Sequence, residues 1–326
     1  MRMINKIDKI TIILSVFNGG EYLKFAIESI LKQTFSSFEF IIINNASTDD
    51  TKNTIKKYEL LDKRIRVINL LNKLTYAEGR SKGIEHCETE WFALMDADDI
   101  SFKKRIESQV KFINSSNINN LGAIGTWGEY INKEGRVLGH IKSGPTKIQL
   151  FNKMYKNNEA IVIVDPSSLI NKKAFLKCGG YRKEMNPACD LDLWYRLSEN
   201  GYSIMVIPEI LFKYRVHSGS NSVKKTMLQR KITHFVNYNM RLRRQNKLEI
   251  TREEYFEKVW SNIFYKFPRV YNDCVMTFYK KAALNYSEYK YLNFIIFAFL
   301  TFLLNPNYLL KKILIQNIFF KKKITN

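Results

Sequence analysis

Apolar and polar positions alternate along this chain in two rhythms. Residues 10–16 (ITIILSV) form a nearly unbroken apolar run, which predicts a strand covered on both faces. Leu23, Ala26, Ile27, Ile30 and Leu31 then recur at helical spacing and predict an amphipathic helix. Residues 38–43 (FEFIII) predict a second strand, and the polar turn at 44–50, rich in capping residues, predicts a helix from Thr51. A short third strand is expected at 65–68, a helix over 78–87, and a fourth strand at 91–95 (WFALM), too short an apolar run for a helix. Strands alternating with helices predict a right-handed, mostly parallel α/β sheet.

The fourth apolar run stops abruptly at Asp96-Ala97-Asp98-Asp99. In a parallel sheet the carboxyl ends of the strands share one edge, where open α/β folds bind ligands. Polar residues close three of the strands, at 15–18, 44–49 and 96–99, so one crevice is expected to gather Ser15, Phe17, Asn18, Asn44, Asn45, Asp96 and Asp98. Carboxylate oxygens suit hard divalent cations, and Mg2+ or Mn2+ held by one or two carboxylates can complete its shell with substrate phosphates. Asp98 is the candidate ligand, with Asp96 beside it. By itself a D-x-D is common by chance, and Asp99 reads as the N-cap of the helix signalled by Ile106, Val110 and Ile113. The chain has no G-x-x-x-x-G-K-[ST] and no strand-linked G-x-G-x-x-G, which argues against P-loop and dinucleotide-binding folds.

Charge divides the 326 residues unevenly. Residues 1–220 carry 32 Lys+Arg against 25 Asp+Glu, whereas 221–326 carry 20 against 6, so most of the net +21 lies in the last third. The four cysteines show no C-x-x-C spacing and suggest neither a zinc site nor a disulfide framework, which fits a reducing cytosol. Lys6, Asp8 and Lys9 precede only a short apolar run, so the N-terminus is expected to be a first strand and not a signal peptide. In the tail, 229–247 predicts a basic helix. Residues 291–304 are strongly apolar but stop at Asn305-Pro306 after 14 residues, short of the roughly 20 needed to span a bilayer. Leu310, Ile313, Leu314 and Ile318, flanked by Lys311, Lys312 and Lys321–Lys323, carry the signature of an interfacial helix. The tail is read as touching a membrane surface, ahead of a helical hairpin packed on the catalytic domain or on a second subunit of a homo-oligomer. Its apolar runs suit lipid better than nucleic acid.

Taken in order, the strand followed by Phe17-Asn18-Gly19, the second strand with NNASTD, then GRSKG, then the strand with DADD resemble the nucleotide-binding half of an inverting family 2 glycosyltransferase of the GT-A fold. The similarity continues through Gly179-Gly180-Tyr181, Cys189 to Trp194, and Tyr214 to His217. It implies a catalytic domain over residues 1–222 and a basic helical region over 223–326. It also implies that Phe17 stacks on the nucleotide base with Ser15 close by, that Arg80 lies near the donor nucleotide, and that Asp96 approaches the ribose. Asp98 would bind the metal, with His217 as a further contact. Asp190 would be the catalytic base, although Cys189 stands where the family has Glu, and Asp192 is the fallback. Asn44 and Asn45 replace the acidic residue that usually reads the base.

The resemblance implies a metal-dependent transferase on the cytoplasmic face of a membrane. It would move a sugar from a nucleotide-sugar, by default a UDP-sugar, to a glycan or lipid-linked acceptor in cell-surface polysaccharide synthesis. Two other classes use parts of the same sequence. A haloacid dehalogenase-like phosphatase also has D-x-D after an apolar strand, but there the motif ends the first strand and not the fourth. A non-catalytic protein would be a transferase relic or a basic nucleic-acid- or membrane-binding protein.

Overall fold

The computed structural model describes residues 6–220, 223 and 225–312. It divides into two compact units, one of residues 1–129 and 141–214, the other of residues 130–140 and 215–326.

In the first unit the parallel strands are β1 (Ile10–Val16), β2 (Phe38–Asn44), β3 (Ile65–Asn69) and β4 (Trp91–Met95). β1 lies between β2 and β4, and β3 flanks β2. The apolar runs fill the interior: Ile10, Ile12, Leu14, Phe40, Ile41, Ile42, Ile43, Phe92, Ala93 and Leu94 have no exposed surface. Such a sheet must be covered on both faces, which the intervening helices α1 (Leu23–Leu31), α2 (Thr51–Leu61) and α3 (Tyr76–Glu85) accomplish. Thr75 opens α3 with a reciprocal capping box to Glu78. Two glycines let α3 lie close on the sheet, since a Cβ on Gly83 would come within 2.5 Å of Ile13 and one on Gly79 within 2.7 Å of Ser15 Oγ.

Beyond β4 the sheet turns mixed. A short β5 (Ile100–Ser101), α4 (Arg105–Ser115), β6 (Leu121–Ile131), β7 (Val137–Ile141), α5 (Ile148–Lys156), β8 (Leu169–Asn171), α6 (Lys172–Lys177), α7 (Cys189–Glu199) and β9 (Ser203–Arg215) follow. Among the described residues the strand order is β3-β2-β1-β4-β8-β6-β9-β5, with β7 on β6, and β8 is antiparallel to both β4 and β6. The expected cap on α4 is not found. The helix begins at Arg105 without a side-chain cap, and Asp99 is buried instead. It lies near the wholly buried Arg105, whose guanidinium donates to the carbonyls of Leu94 and Pro166. Burial lowers the Arg105 pKa to about 10, and the charge of Asp99 opposes that shift.

The second unit is built on α8 (Thr226–Arg244), α9 (Ile263–Ser287) and α10 (Tyr291–Leu304). Arg230 and His234 of α8 both bond the buried Asp273 of α9. Around them, Trp260 stacks on His234 and packs with Tyr255 and Tyr265. On α10, Leu292, Ile295, Ile296, Phe299, Phe302 and Leu303 stand exposed at helical spacing, along one stripe. Among the described residues no helix is long and apolar enough to cross a membrane. Ile313, Leu314, Ile318 and Lys321–Lys323 of the expected interfacial helix lie outside the described residues.

Candidate active site

The register of the parallel strands brings the polar strand ends together. Val16 is level with Asn44, and Leu14 is level with Met95, so the segments after β1, β2 and β4 leave the sheet at one edge. The first two are tied to each other. Asn18, in a left-handed conformation, accepts through its side-chain oxygen from the Thr48 backbone N–H at 2.9 Å and donates its own backbone N–H to Ser47 Oγ at 3.0 Å. Gly19 N–H donates to Thr51 Oγ1 at 2.8 Å. Phe17 stands 38% exposed beside them, with the Lys73 ammonium 3.3 Å from its ring centre. Ser15 lies beneath α3, against Gly79.

The two asparagines are buried and occupied. Asn44 donates to the Asn69 side-chain oxygen at 2.9 Å and accepts from Ser47 N–H at 3.2 Å. Asn45 exchanges two bonds with the Leu74 backbone, at 3.0 and 2.8 Å. Both side chains therefore brace the loops around the crevice.

At the β4 edge a buried ion-pair cluster forms. Arg80, 1% exposed, donates from one nitrogen to Asp96 and from the other to Asp165. Asp165 also accepts from the hydroxyls of Tyr76, at 3.0 Å, and Tyr181, at 2.9 Å. The Tyr76 ring lies 4.3 Å below the Arg80 guanidinium. Burial pushes the Asp96 carboxyl up to about 6 against the pull of Arg80, and the neighbouring charge of Asp98 adds to the rise. Asp98 follows in the turn after β4, half-buried.

Asp190 occupies the first turn of α7 and is half-buried. Burial pushes its carboxyl up to about 7, and the charge of Asp165 adds to the rise. Two residues on, Asp192 has the opposite environment. Burial would raise its carboxyl, but Arg182 and Arg196, each donating Nε at 2.9 Å, outweigh that and hold it below the ordinary range. A carboxylate so held is a poor proton acceptor and a good anchor. Cys189 is fully buried, and its thiol is pushed up by burial, so it packs as a small apolar residue.

The strand-end edge thus carries Asp96, Asp98 and Asp165, with the raised carboxyl of Asp190 on α7, and relatedness narrows the chemistries that could use them. The glycosyl transferase family 2 model matches residues 11–179, just over half of the chain. The chain belongs to glycosyl transferase family 2. This glycosyltransferase is 30% identical over 262 residues to the uncharacterized glycosyltransferase MJ1057 of Methanocaldococcus jannaschii, covering 79% of this chain and 88% of that protein. It is 29% identical over 253 residues to the O-antigen biosynthesis glycosyltransferase WbnJ of Escherichia coli, covering 71% and 93%. The crystal structure of S. aureus TarS 1–349 in complex with UDP-GlcNAc superposes with a TM-score of 0.57 at 15% identity, over 91% of this chain and 90% of that one, a likeness of GT-A-type fold.

His217 of the glycosyltransferase belongs to the second compact unit, where its Nδ1 accepts from Gly219 N–H at 3.2 Å. Among the described residues no group of three or more His, Cys, Asp or Glu side chains is gathered to hold a metal by protein ligands alone. Two central residues of the cluster, Asp165 and Tyr76, escaped the sequence reading. A signal for Asp165 existed: residues 161–164 are an apolar run that stops at a carboxylate, as β4 does.

Proposed function

We propose that this glycosyltransferase moves a sugar, with inversion, from a UDP-sugar to a glycan or lipid-linked acceptor of a cell-surface polysaccharide, at the cytoplasmic face of a membrane. The observation that carries the reading is the pairing of a raised carboxyl on α7, Asp190, with the Arg80–Asp96 edge of the donor crevice. Phe17 is partly exposed and would stack on the base, and Asp96, steadied by Arg80, would meet the ribose. Asp190 takes the proton of the acceptor hydroxyl as that oxygen attacks the anomeric carbon from the face opposite the departing nucleoside diphosphate. A carboxyl near 7 suits this, because about half of it is ionised at neutral pH and the ionised form is far more basic than an ordinary aspartate.

Carboxylate oxygens at Asp98 fit Mg2+ or Mn2+, hard cations that one or two carboxylates can hold while substrate phosphates complete the shell. Bound there, the ion would neutralise charge on the diphosphate. The apolar stripe of α10, in a tail with Lys281, Lys290, Lys311 and Lys312, supports contact with an anionic lipid surface. The relatedness to an O-antigen biosynthesis glycosyltransferase supports the polysaccharide setting. A screen of nucleotide-sugars for hydrolysis or transfer, with and without chelator, tests the reading. UDP-sugars should be consumed only with the divalent ion present. Preference for a CDP- or GDP-sugar, or full activity in excess chelator, would overturn it.

A further inference from the structure

Asp165 is 4% exposed and receives hydrogen bonds from three side chains that come from two different segments. Tyr76 and Arg80 reach it from α3, and Tyr181 from the loop that follows α6. Its own backbone is held as well. Asp165 opens a short 3-10 turn whose Ser168 hydroxyl donates back to the Asp165 carbonyl at 2.6 Å, while Arg105 donates to the carbonyl of Pro166. The carboxylate is therefore a fixed point, and the groups that contact it take their positions from it.

The loop at 179–181 depends on two anchors. Gly179 and Gly180 have φ of +77° and +60°, conformations that favour glycine, and they turn the chain sharply after α6. On one side, Arg196 of α7 donates to the carbonyls of Cys178 and Gly180, and Arg182 pairs with Asp192. On the other, the Tyr181 hydroxyl meets Asp165. The loop is thus attached both to the helix that carries Asp190 and to the carboxylate that holds Arg80. Resting on the reading above, in which Asp190 of α7 acts on the acceptor, we propose that Asp165 is a positioning residue of the transfer reaction: it clamps Arg80 against Asp96 on the donor side and, through Tyr181, holds the 179–181 loop, which is anchored to α7 and so taken as the acceptor side, in register with it.

Replacing the carboxylate by an amide would leave the buried guanidinium with one anionic partner and a single oxygen, in place of two, to accept from Arg80, Tyr76 and Tyr181, so both sides should loosen together. The charge of Asp165 also bears on Asp190, where it adds to burial. Arg80 opposes it, and Asp192 on the same helix is neutralised by Arg182 and Arg196.

The test compares Asp165→Asn, Tyr181→Phe and Tyr76→Phe with the wild type, each as the full chain. Tyr181→Phe should speed backbone hydrogen exchange at 179–182 by about tenfold or more. It should raise the acceptor KM several-fold and leave the donor KM within about twofold. Tyr76→Phe should do the reverse to the two KM values. Asp165→Asn should do both and move the acid limb of kcat to lower pH by roughly half a unit to one unit. Unchanged loop exchange in Tyr181→Phe, or a parallel fall of every parameter with no shift of the limb in Asp165→Asn, would overturn the proposal. If Asp165→Asn does not fold, the two tyrosine variants decide through the same split. Hydrogen exchange is read without turnover, so it judges the clamp even if no nucleotide-sugar is consumed, a result that would count against the proposed transfer instead.

Discussion

Replacing Asp190 by Asn should make this glycosyltransferase more stable and nearly inactive, and the stability gain should depend on pH. The carboxyl is raised from an ordinary 3.8 to about 7 in the folded chain, chiefly by burial. The folded-state value lies above the unfolded one, so the ionised side chain weighs against folding above about pH 7, and that cost fades as pH falls toward 4. At about 1.4 kcal/mol per pH unit it is at most about 4 kcal/mol at pH 8. Water reaching a half-buried group screens this to about 1–2 kcal/mol. Asparagine removes the cost, so the melting temperature at pH 8 should rise by roughly 2–6 °C, and the gain should shrink steadily down to pH 5. Turnover should fall about 100- to 10,000-fold while UDP still binds, because a base acts on the acceptor. Asp192→Asn should give the mirror image. It strips two guanidiniums of their partner at a cost of about 3 kcal/mol, yet leaves far more activity per folded molecule. Scanning fluorimetry from pH 5 to 8, calorimetry with UDP and a nucleoside-diphosphate release assay provide the readouts. A destabilised Asp190→Asn at pH 8, or a larger activity loss in Asp192→Asn than in Asp190→Asn, would refute the assignment.

Wild-type turnover should rise about tenfold between pH 6 and 8 as Asp190 loses its proton, and a flat profile would remove it as the base. Asp98→Asn should abolish transfer with the fold intact, as excess chelator should; activity that survives both would exclude the metal role. Asn44→Asp should be tolerated, because the Asn69 amide can turn its NH2 toward the new carboxylate. Asn45→Asp should cost about 1–3 kcal/mol, because it sets a carboxylate against the fixed Leu74 carbonyl. Equal melting temperatures for the two variants would contradict this. Deleting residues 290–326 should free the protein from anionic vesicles while UDP binding is retained, and sedimentation with the vesicles would show the reverse.

Short apolar runs that stop at polar residues were enough to read β1, β2 and β4 from the sequence, because a strand covered on both faces has no other composition available to it, whereas the edge strand β3 is only partly buried. The same logic put Ser15, Phe17, Asn44, Asp96 and Asp98 on one edge, since parallel register leaves strand ends no alternative. The antiparallel half was not legible, as β8 is three residues long and is defined by its partners more than by its own pattern. Side-chain commitments were hidden for a similar reason. Asn44 and Asn45 look like base readers in sequence, but their amides are occupied by Asn69 and the Leu74 backbone, tens of residues away. Asp190 and Asp192 are chemically identical and two residues apart. The family resemblance ranks them, but only the tertiary structure shows the physical difference, by setting one against Asp165 in a partly buried place and the other between two arginines, so that burial wins at the first and charge pairing at the second.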